Sequence, residues 1–151
     1  MIQSYLNTIT NLESNTSSIV FPFDDVRTRS CNCNGWLCHN QGSANYDIVQ
    51  GGLYEITFDA TITSGTVGAI AFALYSNGEM LPGTLMVETI TTAGDYANIG
   101  IDKKIKVCCN ADSNISIRSV PTVPTATDPT TPIATQVPII LSANFSVTRI
   151  C

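Results

Sequence analysis

The sequence predicts an all-β fold, a sandwich or barrel of about eight to ten short strands. Three observations lead to it. Residues 53–62 alternate apolar and polar side chains without a break, and residues 67–75 are apolar on both faces. Turn signals at Gly51-Gly52, Asn77-Gly78 and Gly94-Asp95 punctuate the apolar runs, while a helical period is almost absent. At 151 residues the chain fits one domain and is long enough to bury a hydrophobic core.

Residues 1–16 stand apart from this rhythm as an N-terminal arm. Ile2, Leu6, Ile9 and Leu12, with Tyr5 among them, have the spacing of one short amphipathic helix or of a docking arm; a frayed terminus is the plainer reading. The domain proper spans 17–151. Residues 18–21 and 44–49 read as short strands. In 53–62, Tyr54, Ile56, Phe58, Ala60 and Ile62 share one face, and Glu55, Thr57, Asp59 and Thr61 share the other, as a strand with one buried side requires. In 67–75, Ala69, Ala71 and Ala73 oppose Ile70, Phe72 and Leu74, so both sides are covered. Asn77-Gly78 marks a tight turn.

Residues 84–91 and 96–107 follow as strands, the second with Ala97, Ile99, Ile101, Ile105 and Val107 on one face. Residues 114–119 form a short strand. Residues 139–150 form the last, with Ile139, Leu141, Ala143, Phe145 and Val147 inward. Between these two lie Pro121, Pro124, Pro129, Pro132 and Pro138, spaced by Thr and Ala. Proline removes ladder donors, so 120–138 reads as a long projecting loop. It is either a tolerated insertion or a recognition loop, with Pro124, Pro129 and Pro132 as candidate contacts.

Charge narrows the function classes. Only 13% of residues are charged and the formal net charge is -5. A chain this poor in charge is not a disordered tail, and it either hides surface against a partner or wears a Thr/Ser/Asn coat. The one basic cluster, Lys103, Lys104 and Lys106, is a solvated strand edge rather than a phosphate track, so nucleic acid is not an expected partner. No apolar stretch is long enough to cross a bilayer, and Met1 to Asn15 lack the pattern of an export signal. Cytoplasmic synthesis without a signal peptide is the expectation, and the sequons at Asn15, Asn114 and Asn144 carry no weight in that case.

The chemistry-bearing residues are few. Cys31, Cys33 and Cys38 precede His39; Cys108, Cys109 and Cys151 lie farther on. Three readings stay open: a zinc site from Cys31, Cys33, Cys38 and His39, whose spacing is not a standard knuckle; disulfides formed in an oxidising exterior; or idle thiols. Trp36 either anchors its loop by packing or meets a partner. With one histidine, no metal-binding histidine pair exists. His39 has no nucleophile motif beside it, and no phosphate-cradling glycine loop occurs. Asp24-Asp25 would diverge if extended and reads as a solvated turn. The expectation is no enzyme and no cofactor.

Several segments carry a resemblance. Gly52-Leu53-Tyr54-Glu55-Ile56-Thr57-Phe58 is similar to the glycine–x–tyrosine strand of the tumour necrosis factor and complement globular-head superfamily. Ala69-Ile70-Ala71-Phe72-Ala73-Leu74 with Asn77-Gly78 resembles its next strand and turn. Ser113-Asn114-Ile115-Ser116-Ile117 and Asn144-Phe145-Ser146-Val147 resemble its last two strands. The resemblance covers about residues 17–150. It implies a two-sheet antiparallel jelly roll packed as a homotrimer, in which the strands ending near Cys108 and Cys151 run parallel to one rim. Secreted members carry leaders, anchors or collagen-like repeats, which this chain lacks. Microbial and bacteriophage members resemble trimeric capsid decorations, head fibres or fibre tips. The expected role is therefore a structural virion protein, made in the cytoplasm and displayed on the virion surface. Its partners would be itself and a capsid or other virion protein, or a host surface glycan or protein if it serves as a fibre tip.

Overall fold

A computed structural model describes residues 1–27, 35–108, 113–125, 127 and 130–150. In chain order the strands are β1 (Ile2–Leu6), β2 (Thr10–Asn11), β3 (Phe23–Arg27), β4 (Leu37–His39), β5 (Tyr46–Ile48), β6 (Gly52–Thr63) and β7 (Gly68–Ser76). They continue as β8 (Glu79–Met80), β9 (Met86–Ile90), β10 (Ala97–Val107), β11 (Ser113–Ser119), β12 (Thr122–Pro124), β13 (Pro132–Ala134) and β14 (Ile139–Arg149). The first sheet has the order β10-β6-β14-β1-β3, with β2 also beside β14. The second has the order β4-β5-β11-β7-β8, with β9 also on β7, and β12 and β13 form a separate hairpin. No helix occurs among the described residues. The protein is a two-sheet antiparallel jelly roll.

Alternation along β6 builds the centre. Tyr54, Ile56, Phe58, Ala60 and Ile62 are all buried and face Ile70, Phe72 and Leu74 of the opposite sheet within one core. Aromatic rings fill the space between sheets: Phe21 lies 5.6 Å from Phe145, Tyr46 4.5 Å from Phe145, and Phe58 6.2 Å from Phe72, centroid to centroid. Such pairs add about 0.5–1.5 kcal/mol each beyond burial. The Asn77-Gly78 turn closes β7 onto β8 with both residues at positive φ, 51° and 85°. That is the left-handed pair a two-residue hairpin demands.

Four expectations need correction. Residues 1–16 are not an arm. β1 lies inside the first sheet, paired with β14 on one side and β3 on the other, and Ile2, Leu6 and Leu12 are core residues. The helix-like spacing of Ile2 and Leu6 is equally a strand spacing, since residues an even number apart share a face. Residues 18–21 form only isolated bridges, Ser18 to Arg118 and Phe21 to Ser43. In β14 the register shifts between Ile140 and Ser142, so Ile140 points inward while Ile139 and Leu141 are half-buried. A bulge of this kind inverts the faces on one side of it.

The fourth concerns residues 120–138. Val120 donates its amide to the Ala71 carbonyl and Gln136 donates to that of Ala69, at 2.9 and 2.7 Å. The chain leaves the β7 ladder at Val120, makes the β12–β13 hairpin and rejoins at Gln136. Val120 and Val123 pack on Ala69, Ala71 and Ala73, which is why β7 is apolar on both faces. The loop projects only beyond its own apolar base.

Candidate binding surfaces and a buried polar clasp

The open side of the sandwich is closed by side chains from both sheets. Asp24 stands on β3, the last strand of the first sheet; His39 stands on β4, the last of the second. His39 Nδ1 lies 2.7 Å from Asp24 Oδ1, with both side chains fully buried. Ser4 Oγ donates to the same oxygen at 2.5 Å, and His39 Nε2 donates to the Ser43 carbonyl at 3.1 Å. The imidazole stacks flat on Tyr46, 4.0 Å away and 4° from parallel. Asp24 and Asp25 diverge as expected of an extended pair, but Asp24 is a clasp residue and not part of a solvated turn.

This cluster contains a serine, a histidine and an aspartate in the wrong order for a triad. A nucleophile must sit on Nε2 with the carboxylate on Nδ1. Here Nε2 meets a backbone carbonyl, and Ser4 bonds to the carboxylate instead. The same bonds remove His39 from the zinc candidates, because both of its ring nitrogens are engaged. Cys38 is half-buried on β4, and Cys31 and Cys33 lie outside the described residues. Among the described residues no group of three or more His, Cys, Asp or Glu is placed to hold a metal.

The remaining candidates separate. Trp36 packs on the core with its ring 5.5 Å from Tyr54, so it anchors its loop. Pro124 and Pro132 face each other across the β12–β13 hairpin and are exposed; Pro129 lies outside the described residues. Cys108 is exposed where β10 ends. β10 and β14 both run antiparallel to β6 and so parallel to each other, ending at the same rim. Cys109 and Cys151 lie outside the described residues. Of the supposed arm, Tyr5 is half-buried and Ile9 is exposed.

A surface that the sequence did not single out lies on the outer face of the first sheet. Tyr5 and Phe23, opposite each other on β1 and β3, stack at 5.5 Å and 22°. Phe23 stays 45% exposed. Beside them Gln3, Asn7, Asp25, Ser142 and Asn144 line an open groove of about 310 Å³. The sign available in the sequence was Tyr5, read there as part of a docking arm; Phe23 stood out by no pattern until the strand pairing set it opposite Tyr5.

No family model matches the chain, and no curated protein matches it. Solved structures do. The globular domain of zebrafish complement 1qA superposes with a TM-score of 0.63 at 10% identity, over 99% of this chain and 96% of that one. Murine APRIL gives 0.55 at 11% identity, over 97% and 98% of the two chains. The Eiger TNF of S. frugiperda gives 0.56 at 5% identity, over 99% and 86%. Likeness at such identities concerns the backbone, and fold alone does not assign a role. The two-sheet order, the buried β6 face and these superpositions together place the chain in the jelly-roll fold of the complement globular head and the tumour necrosis factor ligands.

Proposed function

We propose that this protein is a non-enzymatic, self-associating structural module: a homotrimeric capsid decoration or head fibre of a bacteriophage, displayed on the virion surface after cytoplasmic synthesis. The observation that carries self-association is the stacked Tyr5–Phe23 pair, left on an outer sheet face whose other side chains are mostly polar or charged, among them Thr57, Asn144, Ser146 and the Glu55–Lys104 pair. Exposed aromatic pairs are enriched at protein interfaces, and contiguous apolar exposure marks them. A buried His39 with both nitrogens engaged supports the absence of catalysis. The low charge, 13% of residues, supports a chain that covers part of its surface with a partner.

The test is molar mass by light scattering, with and without reductant. Three chains of 16.1 kDa are expected in both conditions. Phe23→Ser should yield a folded monomer. A wild-type monomer in both conditions refutes the trimer. A trimer lost only in reductant assigns the contact to cysteines instead of the aromatic face.

A receptor- or glycan-binding fibre tip is the second reading. The groove favours it: one aromatic ring among amide and carboxylate side chains suits a sugar, whose apolar face stacks while its hydroxyls bond. Binding on a glycan array, lost in Asp25→Ala, separates this role from pure decoration.

A further inference from the structure

The strands of the second sheet carry one arginine and no lysine. Arg118 stands on β11 opposite Ala73 of β7, and Ser18 forms an isolated bridge with it on the other side. Its guanidinium carbon lies 5.0 Å from the centroid of the Tyr75 ring, and its Nε donates to Ser116 Oγ at 3.1 Å. These two contacts fix the plane of the group. Nη1 and Nη2 have no hydrogen-bond or carboxylate partner among the described residues. Covering Ala73 accounts for the stem of Arg118 but not for its fork, since a methionine would cover as much.

The acidic groups of this sheet lie elsewhere. Glu79 and Glu88 stand opposite Ser76 and Ile70 and alternate with Met80 and Val87, so they point off the face. Asp47 is opposite Asn114 and accepts from its Nδ2 at 2.7 Å. That is four residues along β11 from Arg118, about 13 Å. Glu13 lines a groove with Ser18 and Val20 but forms no ion pair with Arg118. Around the guanidinium the exposed side chains are aliphatic. Met80 is opposite Tyr75, Val87 is opposite Ala71, and Leu85 shares the face of Val87; on the other side Val20 shares the face of Ser18. These four are 39–45% exposed, whereas Ala71, Ala73 and Ser116 between them are covered.

We propose that this face binds a protein segment in which one aspartate or glutamate is flanked by apolar side chains, with the carboxylate seated on Arg118 Nη1 and Nη2. Charge complementarity selects the carboxylate: the two open donors form a planar fork that matches its two oxygens. The aliphatic flanks exclude water that would otherwise screen the pair, and they supply the neighbouring contacts. Arginine and methionine are enriched where proteins meet. An acidic sugar is disfavoured, because it would need an open aromatic ring to stack on. Tyr75 has the guanidinium over its ring and packs on the alanines of β7. From Val20 to Val87 the face crosses three strand spacings, about 14 Å, which four or five extended residues span. It lies on the opposite side of the sandwich from Tyr5 and Phe23, so the inference does not rest on self-association.

The probe is a library of random heptapeptides selected on the immobilised full chain. Enriched peptides are synthesised and their affinities measured by fluorescence anisotropy. The expected sequences carry Asp or Glu between apolar residues. Arg118→Met, which keeps the stem over Ala73, should weaken their binding about tenfold or more, as loss of a hydrogen bond to a charged group does. Arg118→Lys keeps the charge without the fork and should fall between the two. Met80→Asp, an exposed position, should weaken binding by repelling the ligand's carboxylate. Circular dichroism checks that each variant folds. No enrichment beyond that seen on Arg118→Met overturns the proposal. Enriched peptides without an acid overturn it too, as do acidic peptides that bind Arg118→Met as tightly as wild type. N-acetylneuraminic acid is titrated in parallel; Arg118-dependent binding of this sugar without peptide enrichment assigns the face to an acidic glycan and overturns the proposal.

Discussion

Asp24→Ala tests the view that the sandwich is closed along its open side by a polar clasp. Asp24 and His39 have no exposed side-chain surface, and the carboxylate also accepts from Ser4. Removing one partner of a buried pair costs about 3–5 kcal/mol, because the other is left desolvated. A domain of this kind is stable by about 5–15 kcal/mol, so the loss is a large fraction of the total. With a urea slope of about 2 kcal/mol per molar, the unfolding midpoint should fall by roughly 2 M. Fluorescence of the single tryptophan, Trp36, reports unfolding, since it packs on the core. The double variant Asp24→Leu/His39→Phe should lose less than either single change, because apolar replacements of similar volume leave nothing unpaired. A midpoint shift below about 0.5 M for Asp24→Ala, or a double variant whose loss is the sum of the singles, would refute the clasp.

Four further outcomes follow from the same structure. Deleting residues 1–6 removes a strand from inside the first sheet, with core residues Ile2 and Leu6; the product should lack a cooperative melt, checked by circular dichroism. Gly68 has φ +146°, and a Cβ there would sit 2.8 Å from Gln136 Cγ and Nε2. Gly68→Ala should cost about 1–3 kcal/mol, and Gln136→Ala added to it should recover the steric share but not the strain, by urea titration. Val123→Asp puts a charge against Ala71 and should detach the hairpin base, seen as faster hydrogen exchange at the Val120 and Gln136 amides. Burial pushes the Tyr54 hydroxyl above its usual 10.0, outweighing the nearby Arg149 that pulls it down. The raised folded value means that its contribution is intact below about pH 10 and lost as pH rises through that value. Tyr54→Phe should flatten this alkaline loss in a pH series of urea midpoints.

Local pattern made much of the fold readable. The β6 alternation, the β10 face and the Asn77-Gly78 turn lie where period and turn chemistry put them. What pattern could not supply is partnership. β1 and β3 are short, and their faces are set by strands far away in the chain: Ser4 and Tyr5 fall within an apparent arm until β3 sets Asp24 opposite Ser4 and Phe23 opposite Tyr5. His39 drew attention through its cysteine neighbours, yet its role is fixed by Asp24 and Ser43. The alanines of β7 announced a covered face, but not that the Pro/Thr segment supplied the cover. The Ile139–Leu141 run misled because a single extra residue at a bulge exchanges inside for outside.

The way residues 120–136 leave and rejoin the β7 ladder has a practical side. Val120 and Gln136 are fixed by backbone bonds and Val123 by its apolar seat, so the chain between Pro124 and Pro132 is anchored at both ends on the outside of the fold. Doubling the length of such a tip adds only about 0.6 kcal/mol of closure entropy. Foreign peptides spliced between Pro124 and Pro132 should be carried as constrained epitopes with little change in melting temperature, which makes this jelly roll a ready scaffold for peptide display.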